Sequence, residues 1–343
     1  MKALVLTKDV RKGDPGTAFE LQELPMPEAG PDEIVIKVSH FGLNYADVMS
    51  RRGLYADRPP LPIVLGYEVV GEVTAVGSEV NSLQVGDNVL ALTPFGGYAE
   101  YAKTLARGAV RLAPGTDPAE ATALATQYCT AWIAACHMVN LHEGDKVLVH
   151  AAAGGVGTAL VQIAKWKGCE VFGTASKPEK IEYLREQGVD HPINYRKEDF
   201  VEAVEKISGS DRLDVAFDPI GGKNFKKSFS VLGSGGRLIT FGASDWSSTN
   251  GGFLDKIKIG LGFGLIHPIG LLMKSKGVIG VNMLKLGQNK PSYVSQCLSE
   301  VYEHYQKGIL KPTVDSVFEA TEIGKAHQRL EGRGSIGKVV VKW

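Results

Sequence analysis

Three small residues at fixed spacing, Ala152-x-Gly154-x-x-Gly157, are the part of this 343-residue sequence whose types and order best suit chemistry. They form a Gly-x-Gly-x-x-Gly pattern with alanine in the first place. In that pattern one small residue makes a tight turn, the next gives backbone access to a pyrophosphate, and the third lets a helix pack closely on a strand. The amides of Gly154, Gly155, Val156 and Gly157 then face a phosphate, helped by the helix dipole. A plain strand-to-helix turn is the ordinary alternative. About twenty positions on, an NAD site carries an acid for the ribose hydroxyls. Thr174-Ala-Ser176-Lys177 stands there instead. A hydroxyl and a cation suit a 2′-phosphate, so NADPH is the expected cofactor, with Arg196 as a further cation. The plainer reading of Lys177 and Arg196 is solvated surface charge.

Such a turn needs a strand before it and a helix behind it. Val147, Leu148 and Val149 form a short apolar run, and Val156, Leu160, Ile163 and Ala164 recur at helical spacing. Strand-like runs at Cys169–Gly173, Leu213–Phe217 and Arg237–Phe241 alternate with helical ones at Ser176–Gln187 and Asn224–Leu232, which predicts a doubly wound parallel sheet. Ser176-Lys-Pro-Glu179 reads as a capping box, and Gly188 suits a left-handed C-terminal position. Residues 243–275 are apolar and glycine-rich without clean periodicity, and a lid is one reading of their first part. Gly277–Val281 restores a strand at the sheet's end. Its unpaired backbone groups invite a two-fold partner, and a homodimer is expected.

The first 110 residues carry short β-like runs at Ile34–Val38, Tyr67–Val73, Val85–Leu90 and Gly97–Tyr101, which predict an antiparallel, barrel-like domain. The alanine-rich segment Ala119–Met138 has helical spacing with a break near Gln127. A tail of charged helices, Ser292–Gln306 and Phe318–Glu331, and a last strand, Gly337–Trp343, fits a return to the first domain. The length suits two domains. With 38 basic against 38 acidic residues, no net charge attracts nucleic acid or anionic membrane. Cys129, Cys136, Cys169 and Cys297 are scattered without metal-ligand or redox spacing, which points to reduced thiols and a cytoplasmic protein. Met1–Leu6 looks like a first strand and lacks the features of a signal peptide. The lipophilic tract Phe253–Met273 is interrupted by charges, glycines and prolines, so it is not expected to span a bilayer. A helix lying on a membrane surface is left open and not favoured.

With this order fixed, the chain resembles the zinc-independent medium-chain dehydrogenase/reductase superfamily, in its quinone oxidoreductase branch, and within that branch the VAT-1-like proteins. The resemblance covers nearly the whole chain. It rests on Gly42-Leu-Asn44-Tyr-Ala-Asp47, Arg52-Gly-Leu-Tyr55, Gly66-Tyr-Glu68, Val85-Gly-Asp87, His150-Ala-Ala-Ala-Gly-Gly-Val-Gly157, His191-Pro-Ile-Asn-Tyr195 and Gly337-Lys338. It implies an α/β protein with a GroES-like β-barrel-type catalytic domain from residues 1–125 and 297–343. An NADPH-binding Rossmann domain, residues 126–296, would be inserted, with catalysis in the cleft dividing them. It also implies that Tyr195 touches the 2′-phosphate. Zinc-containing relatives take catalytic ligands from positions that here hold Asn44, Tyr67 and Thr126. None is a thiolate or imidazole, the four-cysteine lobe is missing, and no metal is expected.

Without a Lewis acid, a simple ketone gains little help as charge develops on its oxygen, so the substrate must delocalise that charge itself. The expected reaction is reduction of quinones or α,β-unsaturated carbonyls by hydride from NADPH. Asn44 and Tyr55 are the candidate donors to the developing oxyanion, with Tyr55 able to pass a proton; simple packing is an equal reading of Tyr55. Tyr67 would wall the substrate pocket. Asp47 suits local hydrogen bonds better than a base's role. Thr130, Phe241, Gly242, Ala243 and Arg333 should flank the nicotinamide or its ribose. The rival reading is an NADPH-regulated lipid- or membrane-binding protein with little catalysis.

Overall fold

In a computed structural model, residues 1–209, 212–244, 262–264 and 266–343 are described. Packing divides the chain into two units, Met1–Cys129 with Met283–Trp343, and Thr130–Asn282. The second boundary falls earlier than the expected 296/297, which would have cut the helix Pro291–Gln306. That helix stays whole because its inner face, Val294, Cys297, Leu298 and Val301, is buried as one stripe.

The first unit is built on strands β1 (Lys2–Leu6), β2 (Phe19–Glu23), β3 (Glu33–Leu43), β4 (Ile63–Val64), β5 (Glu68–Val76), β6 (Asn88–Leu92), β7 (Tyr101–Leu105) and β8 (Ala109–Arg111). The second holds β9 (Lys146–Val149), β10 (Glu170–Ala175), β11 (His191–Asn194), β12 (Leu213–Asp218), β13 (Leu232–Thr240) and β14 (Gly277–Gly280). Strands β15 (Val314–Glu319) and β16 (Lys338–Lys342) return to the first.

Two sheets make the first unit, β2-β1-β4 and β15-β16-β3-β5-β6-β8, with β7 also on β3. The chain's last strand lies antiparallel on β3, Val339 opposite Leu43 and Val341 opposite Phe41. Ile34, Ile36, Phe41, Val69, Val73, Val89, Tyr98 and Val341 fill a common core. Period-two alternation selects these residues. The expected strand Gly97–Tyr101 does not form as one. Tyr98 bonds to Leu65 and Leu4, whereas Glu100 bonds to Lys2 and to Val38 of β3, so the backbone divides its hydrogen bonds among neighbours in both sheets, and its regular ladder with β3 starts at Tyr101. Val85-Gly-Asp87 is a turn closed by Asp87 Oδ2 on the Gln84 N–H, and the strand starts at Asn88. Phe318–Glu331 splits into β15 and the helix Ile323–Glu331.

The second unit is a six-stranded, wholly parallel sheet in the order β11-β10-β9-β12-β13-β14. The order reverses between β9 and β12, and in such a sheet ligands bind at the carboxyl ends beside that reversal. Leu148, Phe172, Ile193, Ala216 and Leu238 are buried in one apolar cluster with Phe200, Val204 and Phe225 of the covering helices. The alanine-rich segment is helical throughout, with Leu124–Tyr128 and Ile133–Met138 widened to π-helical turns; the break expected near Gln127 is the first of these. Among the described residues no helix is long and apolar enough to cross a membrane. Of the tract Phe253–Met273, residues 253–261 and 265 lie outside the described ones.

A fully buried ion pair, Glu68 on β5 with Lys338 on β16, joins the chain's end to its first domain. Removing one partner of such a pair costs about 3–5 kcal/mol, because the other charge is left buried alone. Lys338→Met should therefore lower the urea midpoint sharply, and Glu68→Gln added to it should restore much of the loss. Equal midpoints for the single variant and wild type would show the pair to be dispensable.

Candidate functional site

The turn after β9 carries the first group of candidate residues. His150 ends the strand region, Ala151 takes a positive φ of 50°, and Gly154 precedes the helix Gly155–Trp166. Glycine at 157 is required by contact: a Cβ there would lie 2.3 Å from the Ala151 carbonyl oxygen and 2.7 Å from the Ala152 Cα. Gly154 has no side chain to cap the helix, so the first amides stay available at the positive end of its dipole. Ala152, buried, packs against Gly173 of β10, where a Cβ would come within 3.3 Å of the alanine methyl. Small residues thus fall on both sides of the contact.

Beneath the turn, His150 is tied to β10 and to the helix Gly222–Val231. Nδ1 lies 3.1 Å from Thr174 Oγ1 and Nε2 2.9 Å from Ser228 Oγ. Burial lowers its pKa to about 4, so the ring is neutral at pH 7. Asp218, ending β12, accepts from the Ile220 and Gly221 amides and Asn224 Nδ2 through one oxygen; its other oxygen is buried and unpartnered. The sequence reading missed this Asp218–Asn224–Ser228–His150 network.

At the ends of the next strands, Ala175 of β10 is paired with Asn194 of β11. Ser176 and Tyr195 are each the next residue, and so leave the sheet side by side. Ser176 is buried, whereas Lys177 and Tyr195 are 39% and 42% exposed. The capping box expected from Ser176 does not form. Pro178 opens the helix Pro178–Glu186 and holds Lys177 in extended geometry at the N-cap, so the serine lies one residue too early. Glu179 falls in the first turn, 3.6 Å from the Lys177 ammonium, and Gly188 takes the expected left-handed position with φ of 76°. Phe241, Gly242 and Ala243 follow β13 along the same edge. The Phe241 amide bonds to Asp218, and a Cβ on Gly242 would meet the Pro219 carbonyl oxygen at 2.8 Å. Thr130, the first residue of this unit, is buried in the short helix Cys129–Trp132.

Asn44, Tyr55, Tyr67 and Arg333 belong to the other unit. Arg333 follows the helix Ile323–Glu331 with φ of 54°. Asn44 is the N-cap of the helix Tyr45–Arg51, and its backbone N–H donates to Asp47 Oδ2 at 2.8 Å. Its amide Nδ2 donates to Glu68 Oε1 at 2.8 Å, and its Oδ1 accepts from Lys338 Nζ at 2.9 Å. Lys338 Nζ also donates to Glu68 Oε1 at 2.5 Å, and Thr126 Oγ1 to Glu68 Oε2. Gly42 makes room for the group, since a Cβ would sit 2.2 Å from Glu68 Oε1. One of the two Nδ2 hydrogens of Asn44 is therefore left to donate elsewhere.

Tyr55 packs edge-on against Tyr67, ring centroids 6.5 Å apart. Burial, followed by the Asp57 and Asp47 charges, pushes the Tyr55 phenol up to about 12, and burial pushes Tyr67 higher still. Burial likewise raises Asp47 to about 8 and Glu68 above its ordinary value, against the pull of Lys338. Asp47, Glu68 and Lys338 are functional candidates that sequence reasoning underrated, although each sits in a motif it singled out.

Residues 30–131 match the family described as alcohol dehydrogenase GroES-like domain, and residues 155–299 that described as zinc-binding dehydrogenase. The chain is 35% identical over 317 residues to the zebrafish (Danio rerio) synaptic vesicle membrane protein VAT-1 homolog, covering 92% of this chain and 65% of that protein. It is 33% identical over 326 residues to the Rattus norvegicus homolog, covering 94% and 80%. The chain belongs to the VAT-1-like proteins. These lie in the quinone oxidoreductase branch of the medium-chain dehydrogenase/reductase superfamily, and the two units are accordingly its GroES-like and Rossmann domains. Among solved structures, the Escherichia coli quinone oxidoreductase complexed with NADPH aligns with a TM-score of 0.86 at 25% identity, over 100% of each chain. CurK enoyl reductase aligns at 0.85 and 28% identity over 99% of each.

One family description names zinc, and the donors here do not fit it. Asn44, Tyr67 and Thr126 offer an amide, a phenol and a hydroxyl, and the neighbouring carboxylate of Glu68 is bonded to an ammonium group. Tetrahedral zinc selects thiolate, imidazole and free carboxylate. A dinucleotide fits the turn, whose glycines at 154, 155 and 157 carry no side chain and whose first helical amides have no side-chain cap. Gly157→Ala should weaken NADPH binding by at least about tenfold while the barrel core stays folded, because the new methyl must displace the Ala151 carbonyl; a difference of tenfold corresponds to about 1.4 kcal/mol. Unchanged affinity in a fluorescence titration would show that the close approach at 157 does not shape the cradle.

Proposed function

We propose that this protein is an NADPH-dependent, zinc-independent oxidoreductase that reduces quinones or α,β-unsaturated carbonyl compounds. The observation that carries the reading is the small-residue turn Ala152–Gly157, at the carboxyl edge of a sheet where Ser176 and Lys177 follow the end of β10. Gly154, Gly155, Val156 and Gly157 would hold the pyrophosphate; Ser176, Lys177 and Tyr195 would hold the 2′-phosphate. Thr130, Phe241, Gly242, Ala243 and Arg333 would border the nicotinamide and its ribose. When bound, NADPH supplies hydride. Asn44 would donate its remaining N–H to the substrate oxygen, Tyr55 its phenolic proton, and Tyr67 would wall the pocket. The NADPH-bound E. coli relative and the enoyl reductase neighbour support this substrate range.

A homodimer and a cytoplasmic setting complete the proposal. Strand β14 pairs only with β13 among the described residues, and beside it the helix Pro268–Lys274 exposes Ile269, Leu272 and Met273. A second copy that continues the sheet would cover both the open edge and these side chains. The four cysteines are free thiols, three of them buried. The same exposed side chains favour the second reading, a VAT-1-like protein that binds lipid with little catalysis.

NADPH and NADH oxidation with a panel of quinones and enones tests the assignment. Lys177→Ala should raise the KM for NADPH about tenfold with little change for NADH, as expected for a charge-assisted contact. Tyr55→Phe and Asn44→Ala should lower kcat while NADPH still binds. Co-sedimentation with anionic liposomes, without NADPH oxidation on any substrate, would reverse the order of the two readings. Light scattering should give twice the chain mass, and a monomer would remove the dimer.

A further inference from the structure

Three oxygen atoms in the barrel unit are buried without a well-formed hydrogen bond among the described residues: Asp47 Oδ1, Ser50 Oγ and the Tyr67 hydroxyl. Asp47 and Ser50 are fully buried and Tyr67 is 7% exposed. The helix Tyr45–Arg51 brings the first two together, three residues apart on its inner face. The hydroxyls of Ser50 and Tyr55 lie beside that of Tyr67. An unpartnered buried oxygen carries a desolvation penalty, and three in one cluster call for an account. Asp47 supplies it if Oδ1 bears a proton. The acid is then neutral, Oδ2 keeps the Asn44 N–H, and Oδ1 becomes a donor for which the adjoining Tyr98 hydroxyl and that of Ser50, three residues on along the helix, are acceptors.

We propose that Asp47 is the proton store for the reduction, passing its proton through the hydroxyls of Ser50 and Tyr67 to Tyr55, which delivers it to the substrate oxygen. The proposal rests on the reductase reading above. The Asp47 O–H bond breaks, each hydroxyl accepts one proton and releases one, and the last O–H forms on the reduced substrate. Both electrons arrive with the hydride, so the path carries a proton alone. Asp47 remains as a carboxylate and regains its proton from solvent by the reverse route.

The surroundings select Asp47 over its neighbours. Both oxygens of Glu68 are engaged, by Asn44, Lys338 and Thr126, and Lys338 is turned to Glu68 and Asn44. Tyr98, fully buried, adjoins Asp47, and its hydroxyl lies 3.4 Å from His327 Nε2. Burial lowers the His327 pKa to about 3, so that branch holds a neutral ring. Tyr55 alone of the three tyrosines near Asp47 is more than marginally accessible, and it is the outlet. Burial and the facing Glu68 charge keep the Asp47 proton up to about pH 8, against the pull of the Asn44 and Gly66 amides and of Lys338. Asp47 is a positioning and storage group, since it touches no substrate.

The experiment pairs infrared titration of the cofactor-free protein with pH–rate profiles. Wild type should show a protonated-carboxyl band that is lost near pH 8 and absent in Asp47→Asn, a variant that retains an acceptor for the Asn44 N–H. The kcat of wild type should fall as pH rises through the same value. Asp47→Asn should lose that limb and at least about tenfold in kcat, with NADPH affinity unchanged; Tyr67→Phe should lower kcat but keep the band. The fold responds with a definite sign. A carboxyl raised from 3.8 to about 8 contributes stability at low pH that is lost as pH rises through that range, so Asp47→Asn should melt progressively higher relative to wild type between pH 4 and 8. A variant with the wild-type pH profile, or a wild type with no protonated Asp47 at pH 7, overturns the proposal. If wild type oxidises NADPH with no quinone or enone, the reductase reading itself falls and the relay falls with it.

Discussion

Burying a carboxylate and an ammonium is tolerable only when each is enclosed by partners of the right sign and geometry. The barrel unit is arranged around meeting that condition for Glu68 and Lys338. Lys338 is delivered by the last strand, whose antiparallel pairing with β3 brings residue 338 opposite the chain's first third. Gly42 leaves the volume, Thr126 holds the second oxygen of Glu68, and the Asn44 amide bridges both charges. Asn44 is thereby fixed as the cap of the helix Tyr45–Arg51, and the helix fixes Asp47 and Ser50. The polar cluster exists because the chain returns to its beginning.

The parallel-sheet unit solves its problem by different means. On the proposed reading a pyrophosphate would be bound by backbone amides, so what matters is small residues along the approach. Gly157 and Gly173 let strand, turn and helix close up, and positive φ at Ala151 reverses the chain before the helix begins. Below, neutral His150 links the end of β9 to β10 and a covering helix without adding charge under the turn. One unit thus builds with buried charge and the other with exposed backbone.

This difference decides what was legible in the sequence. Glycine spacing, short apolar runs and helical periods are local, and they identified the turn, most of the parallel strands and the helix Gly155–Trp166. Features whose hydrogen bonds go to distant segments were not. Gly97–Tyr101 has strand-like alternation, but its bonds go to Leu65, β1 and β3, and β15 pairs with β16 across an intervening helix. At Ser176 a local rule misled, because Pro178 fixes the helix start one residue later than a capping box requires. Glu68 and Lys338 were visible only as letters of two motifs 270 residues apart. Their pairing belongs to the register of β16, which no local pattern encodes.

On the proposed reading, the candidate donors Asn44 and Tyr55 limit the chemistry they could assist. A phenol raised to about 12 holds its proton until a strong base appears, so Tyr55 gives nothing to a neutral carbonyl. Asn44 offers one neutral N–H, which stabilises an oxyanion far less than a bound cation does. An isolated ketone would have to develop full alkoxide charge before either group helped. A quinone or an enone moves that charge into its own conjugated system as hydride arrives, and becomes basic enough to take the proton late. Weak, neutral donors of this kind would therefore suit a substrate that carries its own electron sink, and the ammonium of Lys338, committed to Glu68, would not widen that range.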